Sequence, residues 1–189
     1  TWYPSWGGAN GNMYSTFQDG EAYDAQGNRV FVWGSNTPTT GHAMTGVAEI
    51  IGDDPMNLDV VAVNTITTSY ISESGPYTGR YPTGNLMCDG VWYVGSHGNV
   101  EIPGSGPFAG FSYSTDYGQT WTLSPFSLDL DDVPFPQDQT EFGGPMKLEL
   151  PAFVDFGRDM EYAPRNGDGL KMAYLVCNGS TRLNPNLTR

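Results

Sequence analysis

Positive charge, histidine, cysteine and long apolar runs are all scarce in this chain. Only 8 of its 189 residues are Lys or Arg, against 21 Asp or Glu, giving a formal net charge of −13. Nucleic acid and anionic membrane surfaces need clustered basic side chains, so this balance argues against both as partners. No apolar run is long enough to span a bilayer, and membrane insertion is not expected. No window sustains a 3.6-residue apolar period, which leaves room only for single helical turns. His42 and His97 are too few for a zinc site of histidines alone, and neither C-x-x-C nor H-x-x-H occurs. Cys88 and Cys177 permit one disulfide, which suits an extracellular protein; two buried free thiols are the other reading.

Glycine (25 residues), proline (14) and aromatics (13%) are abundant instead. That mixture reads as an all-β domain of short strands and tight turns, and the length suits one domain with a sizeable core. The chain begins at Thr1 with no visible signal peptide, a start that processing and excision from a longer sequence would each explain. Two sequons, at Asn178 and Asn186, are glycosylation acceptors if the chain is secreted by a eukaryote.

The turn signals divide the chain into strand-like runs at 11–17, 29–33, 46–51 and 60–68, then 84–87, 91–95 and 108–113, then 152–156 and 171–177. Between the last two groups lies an acidic loop, 127–142. Its Asp129, Asp131 and Asp132 offer oxygen donors to a Ca²⁺ ion, without the offsets of an EF-hand. The sequence holds no phosphate loop, Rossmann fingerprint or nucleophile elbow, so no organic cofactor is identified.

The most specific stretch is Ser114-Thr115-Asp116-Tyr117-Gly118-Gln119-Thr120-Trp121, which fits S-x-D-x-G-x-T-W at every specified position. Asp116 is suited to accept backbone N–H groups of its own turn, and Gly118 to supply a positive φ. Thr120 suits a strand, and Trp121 can fold its ring beneath the turn. The stretch resembles the Asp-box (BNR) motif of sialidase-like β-propellers, in which it joins the outer two strands of a blade. The resemblance implies four-stranded antiparallel blades, here about 11–70, 84–126 and 150–181 of a single partial domain spanning 1–189. An open ring leaves strand edges and an apolar flank bare, so further chain or a second subunit is expected to complete it. A compact β-sandwich carrying a fortuitous Asp-box is the alternative fold.

A second likeness, to uncharacterised secreted propellers, rests on Gly79-Arg80-Tyr81-Pro82, Gly90-Val91-Trp92-Tyr93 and the Val154-Asp155-Phe156-Gly157…Met160-Glu161 segment. In those proteins histidines often stand where this chain has Ala152 and Tyr162. The resemblance implies a secreted, carbohydrate-active protein acting on a polysaccharide or other glycan, as a glycoside hydrolase if catalytic. Glycosidic cleavage needs two carboxyl groups across one bond. Strand-end placement picks Glu161 for proton transfer and Asp159 or Asp19 as its partner. Arg80, Tyr81, His97 and His42 are the expected substrate-binding residues, Arg80 as a carboxylate clamp and the histidines beside glycines. Trp2, Trp6, Tyr77 and Tyr81 read as loop-borne aromatics suited to stacking on sugar faces. The competing reading is a non-catalytic glycan-binding or structural module of an extracellular assembly.

Overall fold

The computed structural model describes residues 2–7, 9–18, 20–23, 26–32, 45–66, 80–98, 108–124, 138–139 and 144–181. Among them are twelve strands: β1 (Trp2–Trp6), β2 (Met13–Phe17), β3 (Gly20–Tyr23), β4 (Arg29–Val32), β5 (Thr45–Ile51), β6 (Asp59–Ile66), β7 (Arg80–Cys88), β8 (Val91–Gly98), β9 (Phe108–Ser114), β10 (Asp138–Gln139), β11 (Gly144–Phe153) and β12 (Leu175–Thr181). The helical content among these residues is one 3₁₀ turn, Arg158–Met160. The chain is therefore all-β, as its turn-rich composition predicts. No helix among the described residues is long and apolar enough to cross a membrane.

Every strand pair is antiparallel. The first sheet has the order β1-β2-β5-β6, with the β3–β4 hairpin inserted between its second and third strands. That hairpin packs against β5 and β6. The second sheet is β7-β8-β9, and Thr122 bridges back to Tyr113 where a fourth strand would begin. The third is β10-β11-β12. These sheets of four, three, two and three strands do not close into a ring.

Two expectations are corrected here. The run at 29–33 is not part of the first sheet: β4 pairs only with β3, and the fourth place is taken by β1. Trp2 and Trp6 thus lie on an edge strand, not a loop. The tight turn at Asp89-Gly90 is as the dipeptide predicts, with φ of 51° and 76° respectively.

β7 lies between β1 and β11. Alternation along the strand explains how it serves both neighbours. Asn85 and Met87 face the first sheet: the Asn85 amide donates to the Tyr14 carbonyl at 2.8 Å, and Met87 N–H donates to Ser5 Oγ at 2.9 Å. Gly84 and Leu86 face the third: a Cβ on Gly84 would sit 2.7 Å from the Pro151 carbonyl oxygen, and Leu86 packs with Met160 and Phe153. Buried apolar residues fill both seams. Tyr14, Val47 and Ile66 meet Met87, Trp92 and Val94 in one, and Phe111 lies 5.1 Å from Phe153 in the other.

β1, β7 and β11 end at one face of the molecule. Gly7, just after β1, abuts Met87 near the end of β7. The segment following β11 reaches both Ser5 and Gly90.

Candidate functional site

The corner at Ser114–Trp121 is bonded as its sequence predicts. Asp116 Oδ1 accepts from Thr120 N–H at 2.8 Å and from the Ser114 hydroxyl at 2.7 Å, while Oδ2 accepts from Thr120 Oγ1 at 2.6 Å. Ser114 Oγ in turn accepts from the Gly118 N–H at 2.8 Å. These bonds, those from Thr120 foremost, hold the Asp116 carboxyl down to about pKa 2. Trp121 donates its indole N–H to the Gly118 carbonyl, and its ring sits 5.2 Å from that of Trp92, edge to face. Gly118 has φ 88°, and a Cβ there would lie 2.8 Å from the Trp92 ring. The corner closes a turn and pins it to the core. It leaves its carboxylate no free donor-seeking role.

At the face where β1, β7 and β11 end, residues 154–174 form a loop that ties the three sheets together. Asp155 Oδ2 accepts from the Ser5 hydroxyl at 2.9 Å. The Arg158 guanidinium lies 4.7 Å from the Trp6 ring centroid. Asp159 Oδ1 accepts from Gly90 N–H, and its carbonyl accepts from Lys171 Nζ at 2.6 Å. Lys171 also pairs with Asp89 at 2.7 Å. Burial opposes the Lys171 charge most, but the Asp89 hydrogen bond and charge, with the Cys88 and Asp159 charges, together raise the ammonium pKa. Asp159 and Met160 both adopt left-handed backbone, with φ of 53° and 59°, and Met160 is wholly buried against Leu86 and Ala163. Two such residues in succession persist only where the surroundings over-determine them.

The residues expected to act together fall into two groups. Asp159 adjoins the β7–β8 turn at Gly90; Glu161, two residues on, is exposed, and its N–H donates to the Arg158 carbonyl. Arg80, Tyr81 and His97 lie at the opposite end of the β7–β8 hairpin, where Tyr81 pairs with His97 and Arg80 with Gly98. Eight residues of strand at ~3.3 Å each separate the two ends by about 25 Å. Tyr81 is only 2% exposed, so its ring is core and is not presented to a ligand. Asp19, His42, Tyr77, Asn186 and the acids at 129, 131 and 132 lie outside the described residues. Asn178 stands on β12 opposite Glu149. Cys88 is a free thiol whose pKa is raised by burial and then by the Asp89 charge, and the Cys177 side chain is not among those described.

One polar cluster was not anticipated. Glu49 Oε1 accepts from the Asn10 amide (2.9 Å), the Asn12 amide (2.7 Å) and the Tyr14 hydroxyl (3.1 Å). Burial, with the Glu49 charge adding to it, pushes the Tyr14 hydroxyl to about pKa 12. The signal available in sequence was a single Glu interrupting the apolar strand Val47-Ala48-Glu49-Ile50. Among the described residues no group of three or more His, Cys, Asp or Glu side chains is placed to hold a metal ion. Comparison with protein-family models, with curated proteins and with solved structures finds no match.

Proposed function

We propose that this chain is a sector of an Asp-box β-propeller acting outside the cell as a glycan-binding module. The hydrogen-bonded Ser114–Trp121 corner and the neighbouring strands β1, β7 and β11 support the propeller reading. The observation that carries the choice of binding over cleavage is that the expected acid pair and the Arg80–His97 pair stand at opposite ends of the β7–β8 hairpin, roughly 25 Å apart by strand rise. A glycosidase needs its two carboxyl groups within about 10 Å of each other and beside the bound sugar. Asp159 is moreover occupied in holding Gly90 and Lys171.

Glycoside hydrolysis is the second reading, favoured because Asp19 follows β2 in sequence and β2 ends at the face where β7 begins. Affinity electrophoresis through gels containing xylan, glucomannan, laminarin or pectin, beside a reducing-end assay, separates the two. The binding reading expects retardation by at least one polysaccharide without new reducing ends, weakened by Arg80→Ala and unchanged by Glu161→Gln. New reducing ends establish the hydrolase instead, and their loss in Asp19→Asn or in Glu161→Gln identifies which carboxyl group acts. Migration unaltered by every gel overturns both.

A further inference from the structure

Among the described residues, Thr16 Oγ1, Gln18 Oε1, Thr83 Oγ1 and Ser96 Oγ are buried without a hydrogen-bond partner. Thr16 is 0% exposed, Thr83 1% and Ser96 5%. All four stand at one end of the molecule. Thr16 and Gln18 come where β2 ends, Thr83 near the start of β7 and Ser96 near the end of β8. β2 and β8 both lead away from the Asp89-Gly90 face, because the β1–β2 loop touches Met87 at Gly7 and Tyr117 at Ala9. The orphaned oxygens therefore lie toward Arg80 and His97, which pair at the far end of the β7–β8 hairpin with Gly98 and Tyr81.

Alternation turns Thr16 to the side of Tyr14 and Ser96 to the side of Val94, so both enter the seam between the first and second sheets. One layer closer to the Asp89-Gly90 face, that seam is matched: Asn85 donates to the Tyr14 carbonyl and accepts from the Trp92 indole. Ser5 and Ser114, also buried, are bonded as well. The polar mismatch thus belongs to one end of the seam. An unmatched hydroxyl weakens the closed seam, because water serves it once the sheets part. Gly7 and Ser5, both on Met87, hold the other end together and provide a pivot.

We infer that the first and second sheets part at the Thr16–Ser96 end and admit a neutral sugar ring, whose hydroxyl groups pair with the side chains of Thr16 and Ser96. Hydroxyls donate and accept, and an amide oxygen such as that of Gln18 accepts; none of the orphaned groups is charged. Their complement is an uncharged molecule dense in hydroxyls. Such a ligand holds the open form because it matches groups that the closed form leaves unmatched. The inference rests on the glycan reading and assigns its site.

Thr16→Val keeps the side-chain shape and removes the hydroxyl. It should raise the urea midpoint, and it should weaken retention by the polysaccharide that retards the wild type about tenfold. Ser96→Cys should be labelled by a small maleimide in the folded chain, read by peptide mass, and that polysaccharide should slow the labelling. A Thr16→Val midpoint below the wild type's overturns the inference, since the hydroxyl then has a partner. A Ser96→Cys variant that stays unlabelled while folded overturns it too. So does a stabilised Thr16→Val variant retained like the wild type, an outcome that leaves the glycan reading standing. A wild type retarded by no gel overturns the glycan reading and, with it, the sugar as occupant.

Discussion

Ser5 donates its hydroxyl proton to Asp155 across 2.9 Å, and the same oxygen accepts the backbone N–H of Met87. One small side chain, 2% exposed, thereby joins a strand of the first sheet, a strand of the second and the loop leaving the third. Ser5→Ala should strand the Met87 N–H without a partner and lower stability by about 1–3 kcal/mol. Asp155→Asn keeps an acceptor in place and should cost less. Urea unfolding of both variants provides the comparison.

Gly118 and Gly90 both have positive φ, but only Gly118 has a neighbour where a Cβ would stand. Replacement by Ala at Gly90 should cost about 1 kcal/mol for backbone strain alone. At Gly118 the clash with Trp92 adds to that strain, so the loss in denaturation midpoint should be clearly larger. Equal losses at the two sites would contradict the packing of the corner on Trp92.

Asp116 titrates near 2 in the folded chain, below its ordinary 3.8. Its native bonds therefore add stability above pH ~4, and the contribution fades as pH falls through about 2. Asp116→Asn should flatten this part of the acid-unfolding profile. Thermal midpoints of the two proteins should converge as pH drops from 5 to 2.

Tyr14 shifts the opposite way, to about 12. A raised acid favours the folded state below the ordinary value of 10, and that advantage disappears as pH rises through 12. Absorbance titration at 295 nm should show a tyrosinate step near pH 12, with Tyr3 and Tyr93 also displaced upward by burial. Tyr14→Phe should remove that late step. Glu49→Gln should move it to lower pH, because it removes a charge that opposes ionisation.

How much of this was legible beforehand depends on the range of the interaction. The corner at Ser114–Trp121 is local: its donors and acceptors lie within seven residues, so residue order alone reports the bonds. The turn at Asp89-Gly90 is local in the same sense. The partners of β1 and β4 are not. Trp2–Trp6 contains a proline and three large aromatics and reads as a loop, yet β2 offers it a full ladder of partners. The run at 29–33 has strong strand propensity, which says that it will pair and not with what. The site was read least well, because strand-end placement does not say which end. Arg80 opens β7, and Asp159 meets the turn that follows it, so the two stand at its extremities. Tyr81, between Arg80 and Pro82, looked presentable, and the pleat turned it inward.

The glycines at the seams have a mechanical consequence. An ideal methyl on Gly7 would lie 2.1 Å from Met87 Cβ, and one on Gly84 would run into the Pro151 carbonyl. Neighbouring sheets therefore mesh like gears at two fixed teeth, and neither can slip by a residue without jamming. Denaturation should take the three layers apart in a single step.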